Sequence, residues 1–198
     1  MDRLYEAFMA SSRTIKTLTA LLAAMTVGVF TLMLMETEPY QPLVSLAAVG
    51  AGSAPAAVIS DTEATIQANR WRNIVVHATG AEGMDVIEQC HFVLTSDGSG
   101  RPVLASTALW RAQQTGRQTR RLGEQFNAAS VGVCLVGDFS TDPPTAEQFN
   151  ELITLVKCLQ KNFHIGYDRV YLLGDIDPPS RSPGDAFPAR AFEQHLIR

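Results

Sequence analysis

The sequence predicts an α/β fold: a central mixed β-sheet flanked by helices and preceded by one transmembrane helix. Three observations carry this. Residues 131–136 read Val-Gly-Val-Cys-Leu-Val, a β-branched apolar run without charge, closed by Gly137 and Asp138. A strand of this kind is buried on both faces, because an exposed face would alternate with polar residues. A capped amphipathic helix follows it, and a hairpin pattern precedes it. Near the start, residues 17–35 carry no charge at all.

Size and composition bound the possibilities. A chain of 198 residues, 46% hydrophobic, forms one domain with a real core plus something extra. A net charge of −4 with 18% charged residues argues against a nucleic-acid footprint, which is usually basic. Cys90, Cys134 and Cys158 are too few and too scattered for a disulfide framework, and none forms a Cys-x-x-Cys pair. Buried structural thiols are the default for such cysteines.

In chain order, residues 1–16 form a mildly amphipathic lead carrying Arg3, Arg13 and Lys16. At about 1.5 Å per residue, the run 17–35 just spans a hydrocarbon core of roughly 30 Å. A cleaved signal has a shorter apolar region with a small-residue cleavage site behind it. Here the run ends in Met33, Leu34, Met35 and Glu36, so the reading is an uncleaved anchor. Basic residues precede the run, while Glu36 and Glu38 follow it. The positive-inside bias then places the N-terminus in the cytoplasm and the bulk of the chain on the periplasmic or outer side. Residues 36–60, rich in Ala, Gly, Ser and Pro, read as a linker, so the globular domain is expected over 61–198.

Within that domain, residues 73–77 (Asn-Ile-Val-Val-His) read as a short strand with His77 at its exit. Residues 91–95 alternate and run into Ser96, Asp97 and Gly98, a turn before Pro102, Val103 and Leu104. Residues 105–129 read as a polar loop with a basic cluster at Arg111, Arg117, Arg120 and Arg121. After the central strand, Thr145 and Gln148 form a capping box. Phe149, Leu152, Ile153, Val156, Leu159 and Phe163 then line one helix face. Residues 169–173 form a second short strand, 174–184 a proline-rich loop, and Pro188 opens a helix over about 189–196.

Histidines are the first candidates for chemistry. His77 ends a strand that feeds the sheet centre, where sites gather in open α/β sheets. A catalytic zinc site takes three protein ligands and keeps an open position. On spacing alone, a single strand-end histidine is more often a packed, hydrogen-bonded residue. His164 and His195 read as surface or edge residues. No nucleophile elbow, phosphate loop or dinucleotide fingerprint is present.

The pieces Trp71-Arg-Asn-Ile-Val-Val-His77, His91-Phe-Val-Leu-Thr-Ser-Asp-Gly98 and residues 130–139 stand in one order along the chain. They are followed by Pro144-Thr145 before a helix, Arg169-Val-Tyr-Leu-Leu, and Ser182-Pro183-Gly184. Together they resemble the zinc-dependent N-acetylmuramoyl-L-alanine amidases and peptidoglycan recognition proteins, over residue 71 to about 192. The resemblance implies a zinc cleft that hydrolyses the amide between the muramyl lactyl group and L-alanine. Position by position, His77 matches the first ligand. The second falls on Leu173, or near Gly174 or Asp175 with a shifted loop, and the third on Ser182. Cys90 stands at the family's catalytic tyrosine. As substrate contacts, the resemblance offers His91, Trp110 and Arg117. Asp175 and Asp177 are the carboxylates left to join His77, giving fewer protein ligands than catalysis needs.

Three readings follow. The first is a membrane-tethered domain that binds peptidoglycan or muropeptides with impaired or absent hydrolysis and no cofactor. The second is an active amidase with a rearranged zinc site. The third is a non-enzymatic envelope scaffold.

Overall fold

The computed structural model describes Lys16 and residues 55–198. The lead apart from Lys16, the uncharged run 17–35 and most of the expected linker therefore lie outside the described residues. Among the described residues, no helix is long and apolar enough to cross a membrane.

The first described element, α1 (Pro55–Ser60), buries Val58 and Ile59 in the main core. Residues 55–60, expected to end a linker, are thus a helix of the domain. Strand β1 (Asn73–Ala78) leads into a 3-10 segment (Gly80–Gln89). The hairpin follows, β2 (Phe92–Ser96) and β3 (Pro102–Ser106), paired antiparallel. The stretch expected to be a loop contains two short helices, α2 (Ala108–Arg111) and α3 (Gly123–Ala128). Then come β4 (Ser130–Leu135), the long helix α4 (Ala146–Phe163) and β5 (Val170–Leu172). The chain closes with α5 (Leu173–Ile176), where the last strand was expected to reach one residue further, and α6 (Ala189–His195).

The strands form one mixed sheet in the order β3-β2-β4-β1-β5, with β4 in the middle as its uninterrupted apolar pattern requires. β2, β4, β1 and β5 are parallel neighbours, so their carboxyl ends lie together. Because strand side chains alternate between faces, each strand divides its residues between two layers. Ile74, Val76, Val131, Val133, Leu135, Phe92 and Leu94 share the main core with Leu152, Leu155, Val156 and Leu159 of α4. The opposite face carries Val75, His77, Gly132, Cys134, His91 and Val93 by the same alternation.

Helix α4 begins as its sequence dictates, with the Thr145 hydroxyl accepting the backbone N–H of Gln148 at 3.1 Å. The reciprocal half of the capping box is absent. The Gln148 side chain turns into the core, where its amide donates to the carbonyls of Val136 (3.2 Å) and Leu94 (3.4 Å). Gln160 does a similar job at the other end, donating to Ile197 and Ile165 and accepting the Ile197 N–H. Two glutamines that pattern reading assigns to the polar side are therefore buried, each satisfying backbone groups that a leucine would strand.

This division of labour has a measurable consequence. Thr145→Ala should lower stability by about 1 kcal/mol, the usual loss for an N-cap. Gln148→Ala should lower it by about 1–3 kcal/mol, because the Val136 carbonyl loses its side-chain donor and the Leu94 carbonyl is left with the Val136 N–H alone. Chemical denaturation of both variants checks the order, which a reciprocal capping box would make equal.

Candidate functional site at the strand ends

The parallel strands β1 and β4 end side by side, and in open α/β sheets the crevice beyond such ends is where ligands bind. Here the two exits are tied to each other. Gly137 donates its N–H to the Thr79 hydroxyl at 3.0 Å, and Gly80 donates to the Gly137 carbonyl at 3.0 Å. The loop after α5 closes the third side: the Ala78 N–H donates to Ser182 Oγ at 2.8 Å. The result is a cleft of about 280 Å³, with Thr79, Asp138, Ser140, Ser180, Arg181 and Ser182 as its polar lining. The Asp138 carboxylate accepts the Ser140 hydroxyl (2.7 Å) and backbone N–H (3.0 Å), which hold it below the usual carboxylate range.

His77 does not open into this cleft. It is 2% exposed, and its Nε2 lies 2.9 Å from Gln118 Oε1. The Gln118 amide nitrogen donates to the Gln89 carbonyl at 2.9 Å, so its oxygen faces the imidazole and His77 carries its proton on Nε2. Gln118 is itself pinned, since Asn127 Oδ1 accepts the backbone N–H groups of Gln118 and Thr119, both at 3.1 Å. Gly132 makes room for it: a Cβ there would run into the Gln118 amide. Burial lowers the His77 pKa to about 4, against the raising effect of the Gln118 bond.

The other candidate residues fall in different places. His91 is fully buried, its Nδ1 accepting the Gly132 N–H (2.9 Å) and its Nε2 donating to the Gln114 carbonyl (3.0 Å). Trp110 is also fully buried, donating its indole N–H to the Ile59 carbonyl at 3.0 Å and packing on Phe92. Neither meets a surface that a ligand can touch, so the expectation of substrate contacts at His91 and Trp110 is corrected. Apolar surroundings claim one and two backbone partners claim the other. Arg117 is exposed, but it lines a separate cavity of about 590 Å³ with Glu88, Thr115 and Glu124. Cys90, at the tyrosine position, is buried beside Cys134, Val93 and Ile87. Burial, then the hydrogen bond to Cys134, pushes its thiol well up.

The family's zinc can be tested against these donors. A catalytic zinc takes three protein ligands. His77 offers a ring nitrogen already engaged by Gln118, Ser182 offers a hydroxyl engaged by Ala78, and Leu173 offers no donor. The Asp175 carboxylate accepts the Leu172 N–H at 3.3 Å, and the Asp177 carboxylate accepts the Thr119 hydroxyl at 3.2 Å. Among the described residues, no three His, Cys, Asp or Glu side chains come together. The residues present do not fit a zinc ion. Gln118, absent from the sequence reading, is the residue that engages the His77 ring nitrogen. Nothing in its local sequence distinguishes it from its polar neighbours.

A family model described as N-acetylmuramoyl-L-alanine amidase matches residues 58–185. No curated protein matches the chain. Among solved structures, the N-acetylmuramoyl-L-alanine amidase LysC of Clostridium intestinale URNW is similar at a TM-score of 0.50 and 20% identity, over 67% of this chain and 94% of that one. AmpDh3 of Pseudomonas aeruginosa, solved in complex with anhydromuramic pentapeptide, gives 0.52 and 15% identity, over 69% and 64%. At these identities the likeness is one of fold.

Two outcomes follow from the buried imidazoles. His91, like His77, has its pKa lowered by burial to about 4. The unfolded chain then binds more protons than the folded one between pH 6.5 and about 4. Stability is complete above that window and falls as pH drops through it, by up to about 3 kcal/mol per histidine. Urea midpoints measured from pH 7.5 to pH 4 check this. Gln118→Met, which takes away the acceptor of the buried His77 N–H, should lower stability by about 1–3 kcal/mol at pH 7.5 in the same assay.

Proposed function

The chain belongs to the N-acetylmuramoyl-L-alanine amidase family, and from that premise we propose that it binds peptidoglycan without cutting it. One observation carries the reading: the His77 Nε2 is bonded to Gln118 inside the fold instead of facing the cleft. Amide hydrolysis needs a group to polarise the carbonyl and a base to activate water. Among the described lining residues, the cleft offers hydroxyls without an adjacent base. Its carboxylate, Asp138, is held anionic by Ser140 and so is a weak proton acceptor. What remains suits recognition. Thr79, Ser140 and Ser182 present hydroxyls to peptide amides, and Arg181, exposed on the rim, suits the carboxylates of a stem peptide.

The ligand class we assign is a muropeptide, the kind of molecule held by the Pseudomonas neighbour. We also assign the uncharged run 17–35 as the anchor that keeps the domain at the cell membrane, facing outward. The basic residues before that run and the two glutamates after it support this orientation.

The test uses the full chain and insoluble peptidoglycan. Cosedimentation is expected, with no new peptide amino termini in the supernatant. Arg181→Ala should weaken cosedimentation about three- to tenfold, as for loss of one exposed charge-assisted contact. Release of stem peptides, abolished in a folded His77→Asn variant, overturns the proposal in favour of an active hydrolase.

A further inference from the structure

Two turns in this chain share one local pattern, an aspartate whose Oδ1 accepts both the hydroxyl and the backbone N–H of the serine two residues on. At Asp97 these bonds come from Ser99, at 2.6 and 2.8 Å. At Asp138 they come from Ser140, at 2.7 and 3.0 Å. Such Asx turns shape the backbone and by themselves say nothing about ligands. The difference lies in the second oxygen. Asp97 Oδ2 takes the Arg101 guanidinium at 3.2 Å. Asp138 Oδ2 makes no hydrogen bond or ion pair with a described residue.

Asp138 is also the carboxylate of the strand-end cleft, and it is exposed there. The backbone on either side of it is held. Gly137 is tied to Thr79 and Gly80. Phe139 is buried, and its carbonyl accepts the Ala186 N–H at 2.9 Å. Gly184 packs so closely on this stretch that a Cβ there would run into the Phe139 carbonyl. A charge carried on a fixed piece of wall has little ordering cost to meet when a ligand arrives. The cation that shares the cleft leaves this charge unneutralised, since the ion pair of Arg181 is a 4.0 Å approach to Asp185.

An accessible carboxylate oxygen with no partner gains most from a charged donor. In a stem peptide still joined to its sugar, the α-amine of L-alanine is locked in the amide to the lactyl group. The cation left is the side-chain ammonium of a diamino acid, fully charged at neutral pH when it is a lysine. Cross-linking turns that amine into an amide and removes its charge. Building on the muropeptide reading above, we propose that Asp138 takes the side-chain ammonium of a diamino-acid residue, so that the cleft selects stem peptides that are not cross-linked.

The probes are a muramyl peptide ending in lysine and the same peptide with the lysine side-chain amine acetylated. Each is titrated calorimetrically into the full chain held in neutral detergent. The amine form is expected to bind about three- to tenfold more tightly, as for one exposed charge-assisted contact. Asp138→Asn, which keeps Oδ1 as the acceptor for Ser140, should bring the two forms to equal affinity at a wild-type thermal midpoint. Equal affinity of the two forms for the wild-type chain overturns this inference and leaves the peptidoglycan reading standing. So does a preference for the amine that survives in Asp138→Asn. Binding of neither form overturns the peptidoglycan reading and this inference with it.

Discussion

The Gln118 side chain holds together the polar face of the sheet. One amide joins β1, through His77, to the end of the 3-10 segment, through the Gln89 carbonyl. It reaches that position because two glycines leave the space. A Cβ at Gly132 would meet the Gln118 amide, and one at Gly116 would meet both Gln118 and the Gln89 carbonyl. Asn127 then fixes the backbone from which the side chain departs. Removing the amide would leave the buried His77 N–H unpaired, a larger loss than a neutral hydrogen bond normally gains.

The same constraint organises the neighbouring polar groups. His91 accepts the Gly132 N–H with one ring nitrogen and satisfies the Gln114 carbonyl with the other, so the segment carrying Gln118 is secured on both sides. Trp71, edge-on to His91 with ring centroids 4.8 Å apart, closes the layer and donates to Gln113. Two imidazoles that look like functional groups in isolation are internal struts, kept neutral by burial. In this fold the polar face of the sheet is a sealed hydrogen-bond network, and the strand-end cleft lies outside it.

The parallel alignment of β2, β4, β1 and β5 accounts for the position of a cavity at each end of these strands. At the carboxyl ends, the exits of β1 and β4 are cross-tied, and the Ser182 loop closes over them. At the amino ends, the strands begin beside α3, and the cavity there is lined by Arg72 and Arg169 among others.

Much of the architecture was legible in the sequence because it depends on local rules. The uncharged run around Val133 demanded a central strand, Ser96, Asp97 and Gly98 demanded a hairpin, and Thr145 announced a helix. The order of short motifs pointed to the family. Spacing alone also favoured a packed His77, since an isolated strand-end histidine lacks companions. The sequence could not reveal what His77 packs against. Gln118, Gln89 and Asn127 are scattered through stretches that carry no periodicity. Their meetings arise only when the parallel strands bring distant segments side by side. A buried polar contact is selected by geometry in three dimensions, whereas a strand or a helix cap is written in consecutive residues.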